Sequence, residues 1–314
     1  MINRRHIRLK VLQSLYAFFT SKNNDVATAG DEMIKHVKTI SELHAILLSL
    51  PIFLSQFANA FLDKQKHKHL PTDADKNPNF KFVNNQLIKI ISKEKGIIKQ
   101  MNTFSEFLTN NYHDFIRKLF LIIWKSDIYN QYLNSEESSF DEDKEFILSI
   151  FKKYIIEDKL LHHILGEKSI FWIDDLPFVA NIVYSQFKTI RLTYETRLIT
   201  PIFKNTDDKT FAIALFHKTI TNNKEFDSII INTSKNWDLD RIALMDQILL
   251  KMGLCELLFF ERIPIKVTLN EYIEVAKYYS TTKSKSFING ILDKTISEFK
   301  KSGKIVKVGR GLIE

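Results

Sequence analysis

The sequence has little glycine and proline and a single cysteine. Its 314 residues include 8 Gly and 6 Pro, so few tight turns are available and long segments with apolar residues at helical spacing dominate. The lone Cys255 excludes an intramolecular disulfide and a cysteine-rich metal site, and it favours a reducing cytoplasm. We therefore expect an all-α protein that resides in the cytoplasm.

The sequence also lacks the short motifs of common enzyme classes. It contains no phosphate-binding loop, dinucleotide-binding glycine pattern, nucleophile elbow or zinc-protease motif. The histidine pairs His67/His69 and His162/His163 have no companion ligand at zinc-site spacing. We therefore predict no catalytic residue, no metal and no cofactor, and we interpret acidic pairs such as Asp174–Asp175 as helix caps.

The chain carries no recognisable secretory signal, because Asn3–His6 is followed by an amphipathic stretch rather than a continuous apolar one. Its most apolar stretch, 242–260, contains Asp246, Lys251 and Glu256, which favours a buried helix over a membrane span. We expect this helix, over 239–261, to be central in the fold. Asp246 and Glu256 then need partners, either on a neighbouring helix or on another protein.

The charge balance suits a polyanionic partner, because the net charge is +8 and the pI is about 9.2. Basic composition alone does not prove nucleic-acid binding. At 100° per residue, Arg4, Arg5 and Arg8 fall on one arc of a first helix over 3–20. Two interpretations remain open: arginines presented beside the bundle, or a frayed, solvated basic N-terminus.

Apolar periodicity predicts helices along nearly the whole chain. A long helical region over 29–66 should bend or break at Pro51, and the box Thr268–Glu271 predicts a helix start. Gly290 inside the last helix should be compensated by close helix packing, and we expect the basic tail 303–314 to be mobile. The remaining helices are predicted near 80–95, 103–133, 141–163, 175–198 (started by Pro177), 207–222, 225–236, 268–280 and 284–301. The predicted domains are 1–206, 207–302 and 303–314.

Five segments resemble the NusB family of bacterial transcription antitermination factors. The arginine-rich Asn3–Tyr16 is similar to the first helix of that family. The other four follow in the same order near the C-terminus and, with the first, cover somewhat more than a third of the chain: Trp237–Asp246, Gly253–Leu258, Ile263–Lys277 and Phe287–Lys294.

The resemblance implies two packed helical bundles, here with an enlarged N-terminal bundle, and a non-enzymatic role. Family members bind single-stranded boxA RNA together with the ribosomal protein NusE, in the transcription elongation complex that makes ribosomal RNA. Matched by position, the implied RNA contacts are Arg4, Arg5, Arg8, Tyr279 and Phe287. Backbone amides at the start of the last helix, with Lys283, Ser284 and Lys285, could also hold phosphate. Glu256 and Glu261 are weak candidates for contact with the protein partner.

Alternatives remain for several of these residues and for the function. Tyr279 and Phe287 have helical spacing that fits core packing as well as base stacking. Lys283 stands where many family members have an acidic residue, which favours RNA but leaves its sequence preference open. A protein-only scaffold and an RNA-holding module of the kind attached to RNA methyltransferases are the other hypotheses. The resemblance assigns no role to 21–206, where the basic run 64–69 could extend an RNA surface or be solvated.

Overall fold

The structure is a computed structural model that describes residues 2–21, 25–192, 198–234 and 239–312. Within these ranges the chain forms helices and turns and no strand, which confirms the all-α prediction. The helices are α1 (Arg4–Thr20), α2 (Val26–Lys66), α3 (Asp73–Lys76), α4 (Gln86–Ile91), α5 (Lys95–Asn111), α6 (Phe115–Trp124), α7 (Asp127–Asn134), α8 (Phe140–Ile150), α9 (Lys159–Lys168), α10 (Phe171–Thr189), α11 (Thr206–Thr221), α12 (Asn223–Ser234), α13 (Leu244–Phe259), α14 (Ile265–Tyr279) and α15 (Thr282–Lys301).

The chain divides into two compact units. The first unit combines Met1–Val37 with Ile202–Glu314, and the second is Lys38–Pro201. This division differs from the predicted domains 1–206, 207–302 and 303–314, because the first helix and the tail both belong with the C-terminal helices. The inserted residues form a unit of their own rather than an enlargement of a bundle around α1.

In the first unit, α13 is the central helix. Every residue from Ile248 to Leu257 is buried, and α1, α11, α12, α14 and α15 all contact this helix. The side chains of Ile7, Val11 and Leu15 on α1 are buried as the apolar spacing predicts. The central position predicted for this helix is therefore correct, although its regular part begins at Leu244, after a 3-10 turn at Leu239–Arg241.

The second unit is built around the later part of α2 and an aromatic core. Phe61, Phe82, Phe120 and Trp124 lie in a chain of ring contacts, and the Phe61 and Trp124 centroids are 4.3 Å apart. Helix α8 packs on α4, α7 and α10 and continues into a π-helical turn, Phe151–Ile155. The ring contacts are apolar, and the Asp143 carboxylate of α8 accepts hydrogen bonds from the Gln86 N–H of α4 and the Tyr132 hydroxyl of α7.

Several local predictions were wrong because packing outweighs local signals. Helix α2 runs through Pro51 without a break, since 45–55 is buried throughout and that burial offsets the roughly 3 kcal/mol cost of an internal proline. Pro177 lies inside α10 and does not start it. The region predicted as one helix over 103–133 is divided among α5, α6 and α7, and the Ser126 hydroxyl caps the last of them.

Helix α2 is the one described helix long and apolar enough to cross a membrane by length and composition, which corrects the choice of 242–260 as the most apolar stretch. Two-thirds (67%) of its most apolar window is buried inside the protein. Burial of this kind is typical of a core helix in a globular fold.

The C-terminal tail packs against the end of α13, contrary to the expectation that it would be mobile. The Val308 N–H donates to the carbonyl of Glu261 (3.1 Å), and Lys307 Nζ donates to the carbonyl of Phe260 (3.0 Å). Gly311 is buried in a 3-10 turn, Gly309–Leu312. The tail thus adds to the first unit instead of extending from it.

Candidate nucleic-acid interface

The three arginines of α1 differ in exposure and all pair with carboxylates of the first unit. The side chains of Arg4 and Arg5 are 43% and 48% exposed, whereas that of Arg8 is 3% exposed. Arg4 Nε lies 3.1 Å from Asp208, and Arg5 donates twice to Glu271 at 2.8 and 3.0 Å. The helix is capped by Asn3 and is not frayed.

Arg8 is a buried structural residue, which corrects its assignment as an RNA contact. Its Nε and Nη2 donate to the two oxygens of Glu256 at 2.8 and 2.7 Å. Burial opposes a charge on Arg8, but the neighbouring Glu256 carboxylate outweighs this effect and raises the Arg8 pKa. Because the guanidinium is almost fully buried and paired with Glu256, we do not assign a phosphate contact to it.

Glu256 is the buried acceptor of this network, so its assignment to a protein-partner surface was wrong. Besides Arg8, its carboxylate accepts hydrogen bonds from Thr268 Oγ1 (2.8 Å) and the Tyr272 hydroxyl (3.2 Å). Burial, and then the Glu256 charge, raise the pKa of Tyr272 well above its usual value. Of the two kinds of partner predicted for Glu256, the structure shows the neighbouring helices: Arg8 comes from α1, and Thr268 and Tyr272 come from α14.

The position of Thr268 explains why the predicted start of α14 was wrong. Pro264 stands at the N-cap and α14 begins at Ile265. Thr268 is buried one turn inside, where its hydroxyl binds Glu256. Glu271 likewise turns to Arg5 and does not close a capping box.

Side chains of α1 and α14 meet at two points, and the order of these contacts shows that the two helices run in the same direction. Arg5 contacts Glu271 and the Gln13 amide donates to the Tyr279 hydroxyl (3.3 Å), and each pair is 266 positions apart. The first helix thus belongs with the C-terminal helices. Arg5, however, is beside Glu271, about 13 Å before Ser280 along the helix, so Gln13 and not Arg5 approaches the segment 280–287.

Glu274 interacts electrostatically with basic groups of both α1 and the segment 280–287. Its ion pair with Lys277 lowers its pKa, and both Arg5 and Lys285 lower it further. The basic groups of α1 and of the segment 280–287 therefore act on one stretch of α14.

The segment 280–287 offers two exposed lysines, whereas the amide of Ser284 is not free to hold phosphate. Ser284 is buried, and its N–H donates to Thr281 Oγ1 at 3.2 Å as the cap of α15. Its hydroxyl also lies 2.8 Å from Thr281 Oγ1, so Ser284 is occupied by the capping structure. Lys283 and Lys285 are exposed, and Phe287 is half-buried.

Tyr278 is the aromatic residue that the sequence reasoning missed. Its side chain is 82% exposed, while the neighbouring Tyr279 is half-buried. Tyr278 shares the outer face of α14 with Glu271 and Glu274 through spacings of seven and four residues. The polar residues Glu271 and Glu274 at those spacings are the sequence signal that could have located it.

The end of α13 presents the remaining predicted partner residue. Glu261 is exposed, and Phe259 beside it is a large apolar residue with 38% exposure. This position differs from that of Glu256, which is fully buried three residues before Phe259. Glu261 stays a candidate contact for a protein.

Other groups with possible chemistry have structural surroundings. The Cys255 thiol is buried, and burial raises its pKa to about 12, so it is protonated at neutral pH. In the basic run 64–69, Lys66 pairs with Asp63 and Lys68 with Asp75. Across the described ranges, no group of three or more His, Cys, Asp or Glu side chains could hold a metal ion.

Comparison with known proteins identifies the family. The NusB family profile matches residues 186–297. "Transcription antitermination protein NusB" of Salinibacter ruber is 42% identical over 113 residues, which cover 36% of this chain and 71% of that protein.

Two further relatives carry the same name. The protein of Geobacter sulfurreducens is 43% identical over 95 residues, covering 30% of this chain and 69% of its own length. That of Chloroherpeton thalassium is 42% identical over 106 residues, which cover 34% of this chain but only half (50%) of the relative. No solved structure matches. With the all-α structure and more than two-thirds of the Salinibacter protein covered, the chain belongs to the NusB family.

Proposed function

We propose that this protein is an RNA-binding adaptor for transcription antitermination that works in the cytoplasm. It binds single-stranded boxA-like RNA together with the ribosomal protein NusE, joins the transcription elongation complex and supports synthesis of ribosomal RNA. It has no catalytic step and needs no cofactor. The observation that carries the proposal is the exposed surface along α14, formed by Glu271, Glu274 and Tyr278. Arg5 lies at one end of this surface, and Lys283 and Lys285 lie beyond the other.

The distribution of charge supports an RNA surface in the first unit. Residues 1–37 and 202–314 contain 24 of the 45 Lys and Arg and 17 of the 37 Asp and Glu, a net charge of +7. The second unit has 21 against 20, a net charge of +1. Attraction of a polyanion therefore originates almost entirely in the first unit.

The residues divide into phosphate contacts and stacking contacts. Arg4, Arg5, Lys283 and Lys285 are exposed enough to reach phosphates. The ion pair of Arg5 with Glu271 is no obstacle, since a surface pair contributes about 0–1 kcal/mol and a phosphate can replace the carboxylate. Tyr278 supplies an open ring for an unpaired base, and Tyr279 and Phe287 offer smaller exposed edges.

NusE is the proposed protein partner, and the end of α13 is the proposed contact. Glu261 provides a carboxylate and Phe259 an exposed aromatic ring at this position. Aromatic anchors flanked by charged residues are common in protein interfaces. Replacement of Glu261 and Phe259 by Ala should weaken the NusE complex without changing the affinity for RNA alone.

The test is the affinity for a single-stranded boxA-like RNA, measured over a series of salt concentrations with and without NusE. Lys283→Ala with Lys285→Ala should flatten the salt dependence by about 0.7 for each phosphate that is no longer neutralised. Lys99→Ala with Lys125→Ala in the second unit removes the same charge and should leave the slope unchanged.

Two results would contradict the proposal. Equal, weak binding of any RNA in the presence and absence of NusE would show that there is no specific adaptor. Absence of RNA binding at low salt, with a stable NusE complex, would favour a protein-only scaffold instead.

A further inference from the structure

Beside the surface along α14, the first unit contains a pocket lined by five arginines. Arg4, Arg5 and Arg8 come from α1, Arg262 from the turn after α13, and Arg310 from the C-terminal tail. Asn3, Ile263, Pro264, Val267 and Glu271 complete the lining. Neither Arg262 nor Arg310 belongs to the segments through which the chain resembles its family's RNA-binding helix.

The charges in and around this pocket do not cancel. The three arginines of α1 have carboxylate partners in Asp208, Glu271 and Glu256. Arg262 and Arg310 are both exposed, and within the described ranges no carboxylate lies at ion-pair distance from either one. The pocket therefore has about two positive charges more than its acids neutralise, which suits a phosphodiester and repels a cation.

The tail is folded in a way that brings Arg310 to this pocket. Val308 donates to the carbonyl of Glu261, the residue before Arg262. Gly311 lies so close to the same carbonyl that a Cβ atom at Gly311 would be 1.9 Å from the oxygen. Gly309 has φ +55°, a conformation that glycine adopts without strain. Two glycines thus fit the tail around Glu261, with Arg310 between them beside Arg262.

The pocket is continuous with the surface already described. Val267 and Glu271 line it and also begin the outer face of α14 that ends at Tyr278. Along the helix axis, Val267 and Tyr278 are about 16 Å apart. A single strand that stacks a base on Tyr278 can therefore continue along α14 into the pocket.

We propose that Arg262 and Arg310 hold backbone phosphates of the bound RNA in this pocket, and that the C-terminal tail is thereby part of the RNA site. This inference rests on the proposed function. It assigns to the tail a role in binding, with arginine guanidinium groups as bidentate donors to phosphate oxygens. The contact reads the backbone and carries no base specificity.

The test compares salt dependence of RNA affinity in the full-length protein. Arg262→Ala with Arg310→Ala should reduce the slope by about 0.7 for each phosphate that the arginines neutralise, for boxA-like and unrelated single strands alike. The charge-matched control, Lys99→Ala with Lys125→Ala, should keep the wild-type slope. Both arginines are exposed, so circular dichroism melting should be unchanged in the variant.

A second variant separates position from charge. Gly311→Ala keeps every arginine but removes the tail from its seat, and it should reduce the slope by about 0.7, the contribution of Arg310. Gly290→Ala, where no atom lies within 4 Å of the new Cβ, is the matched control and should bind RNA as the wild type does.

The outcomes distinguish this inference from the proposed function. If the wild type binds RNA and the double arginine variant has the same slope, the pocket is not an RNA contact while the proposed function stands. If the double variant loses NusE and keeps RNA, the pocket contacts protein and the inference is overturned. If the wild type binds no RNA, both proposals fail.

Discussion

Replacement of Arg8 by Ala should destabilise the first unit rather than remove an RNA contact. The Arg8–Glu256 pair is bidentate, and the two side chains are 3% and 0% exposed. It joins residues 248 positions apart and fixes α1 against α13. Removal of the guanidinium leaves the Glu256 carboxylate buried, with only the neutral donors Thr268 and Tyr272.

The magnitude follows from the cost of an unpaired buried charge. Breaking a buried ion pair by removing one partner costs about 3–5 kcal/mol, whereas an exposed pair contributes about 0–1 kcal/mol. Arg4→Ala and Arg5→Ala, in the same helix with about half-exposed side chains, should therefore cost under about 1 kcal/mol. Adding Glu256→Gln to Arg8→Ala should recover part of the loss, because the buried charge is then gone.

Hydrogen exchange of α13 measures this effect in the unit concerned. A loss of about 3 kcal/mol or more should speed exchange of the buried α13 amides about 100-fold or more. Amides of α8, in the second unit, provide an internal control and should exchange as in the wild type. Unchanged protection of α13 in Arg8→Ala, or an equal effect of Arg4→Ala, would refute the reasoning.

Three further predictions concern the same unit. Tyr278→Ala should weaken RNA binding by about 1–3 kcal/mol without altering the melting temperature; equal affinity in fluorescence anisotropy would contradict base stacking. Gly290→Ala should stabilise the protein by about 1 kcal/mol, measured by thermal melting, because it is exposed and no atom would meet the Cβ; destabilisation would indicate packing that the structure lacks. His6 has its pKa lowered to about 4, by burial first and then by the charges of Lys10 and Arg5, with Glu271 opposing. Between about pH 6.5 and 4 the unfolded chain therefore binds more protons than the folded protein, and the stability of the wild type falls on acidification. His6→Gln should lessen this fall, measured by urea unfolding over that pH range. Parallel stability-against-pH profiles of the wild type and the variant would exclude the effect.

The sequence was sufficient to predict helices with strong apolar periodicity and was insufficient where tertiary contacts decide. Helix α1 (Arg4–Thr20) lies within the predicted range 3–20 because its apolar residues recur at helical spacing, and α13 is central because it is apolar nearly all round. Pro51 stays inside α2 since surrounding burial outweighs a local rule. The close packing expected at Gly290 is absent, so its helical cost has no compensation in packing.

The candidate site could be predicted only to the level of a helix face. Periodicity places Arg4, Arg5 and Arg8 on one arc, but which of them is buried depends on Glu256, far away in sequence. The same distant carboxylate binds Thr268, which made a local capping signal misleading. Tyr278 was accessible to sequence reasoning, because it follows Glu271 and Glu274 at spacings of seven and four residues and so continues the polar face of α14.

The charge distribution limits what the insert contributes to RNA binding. The second unit has nearly equal numbers of basic and acidic residues, and its most basic run is paired locally: Lys66 with Asp63, and Lys68 with Asp75. Lys66 also lies over the ring of Phe80. A phosphate contact that releases counterions needs basic groups whose charge is not already matched. Replacing Lys64, Lys66 and Lys68 by Ala should therefore leave the salt slope of RNA binding unchanged, and a slope reduced by about 0.7 or more would place part of the RNA surface on the insert.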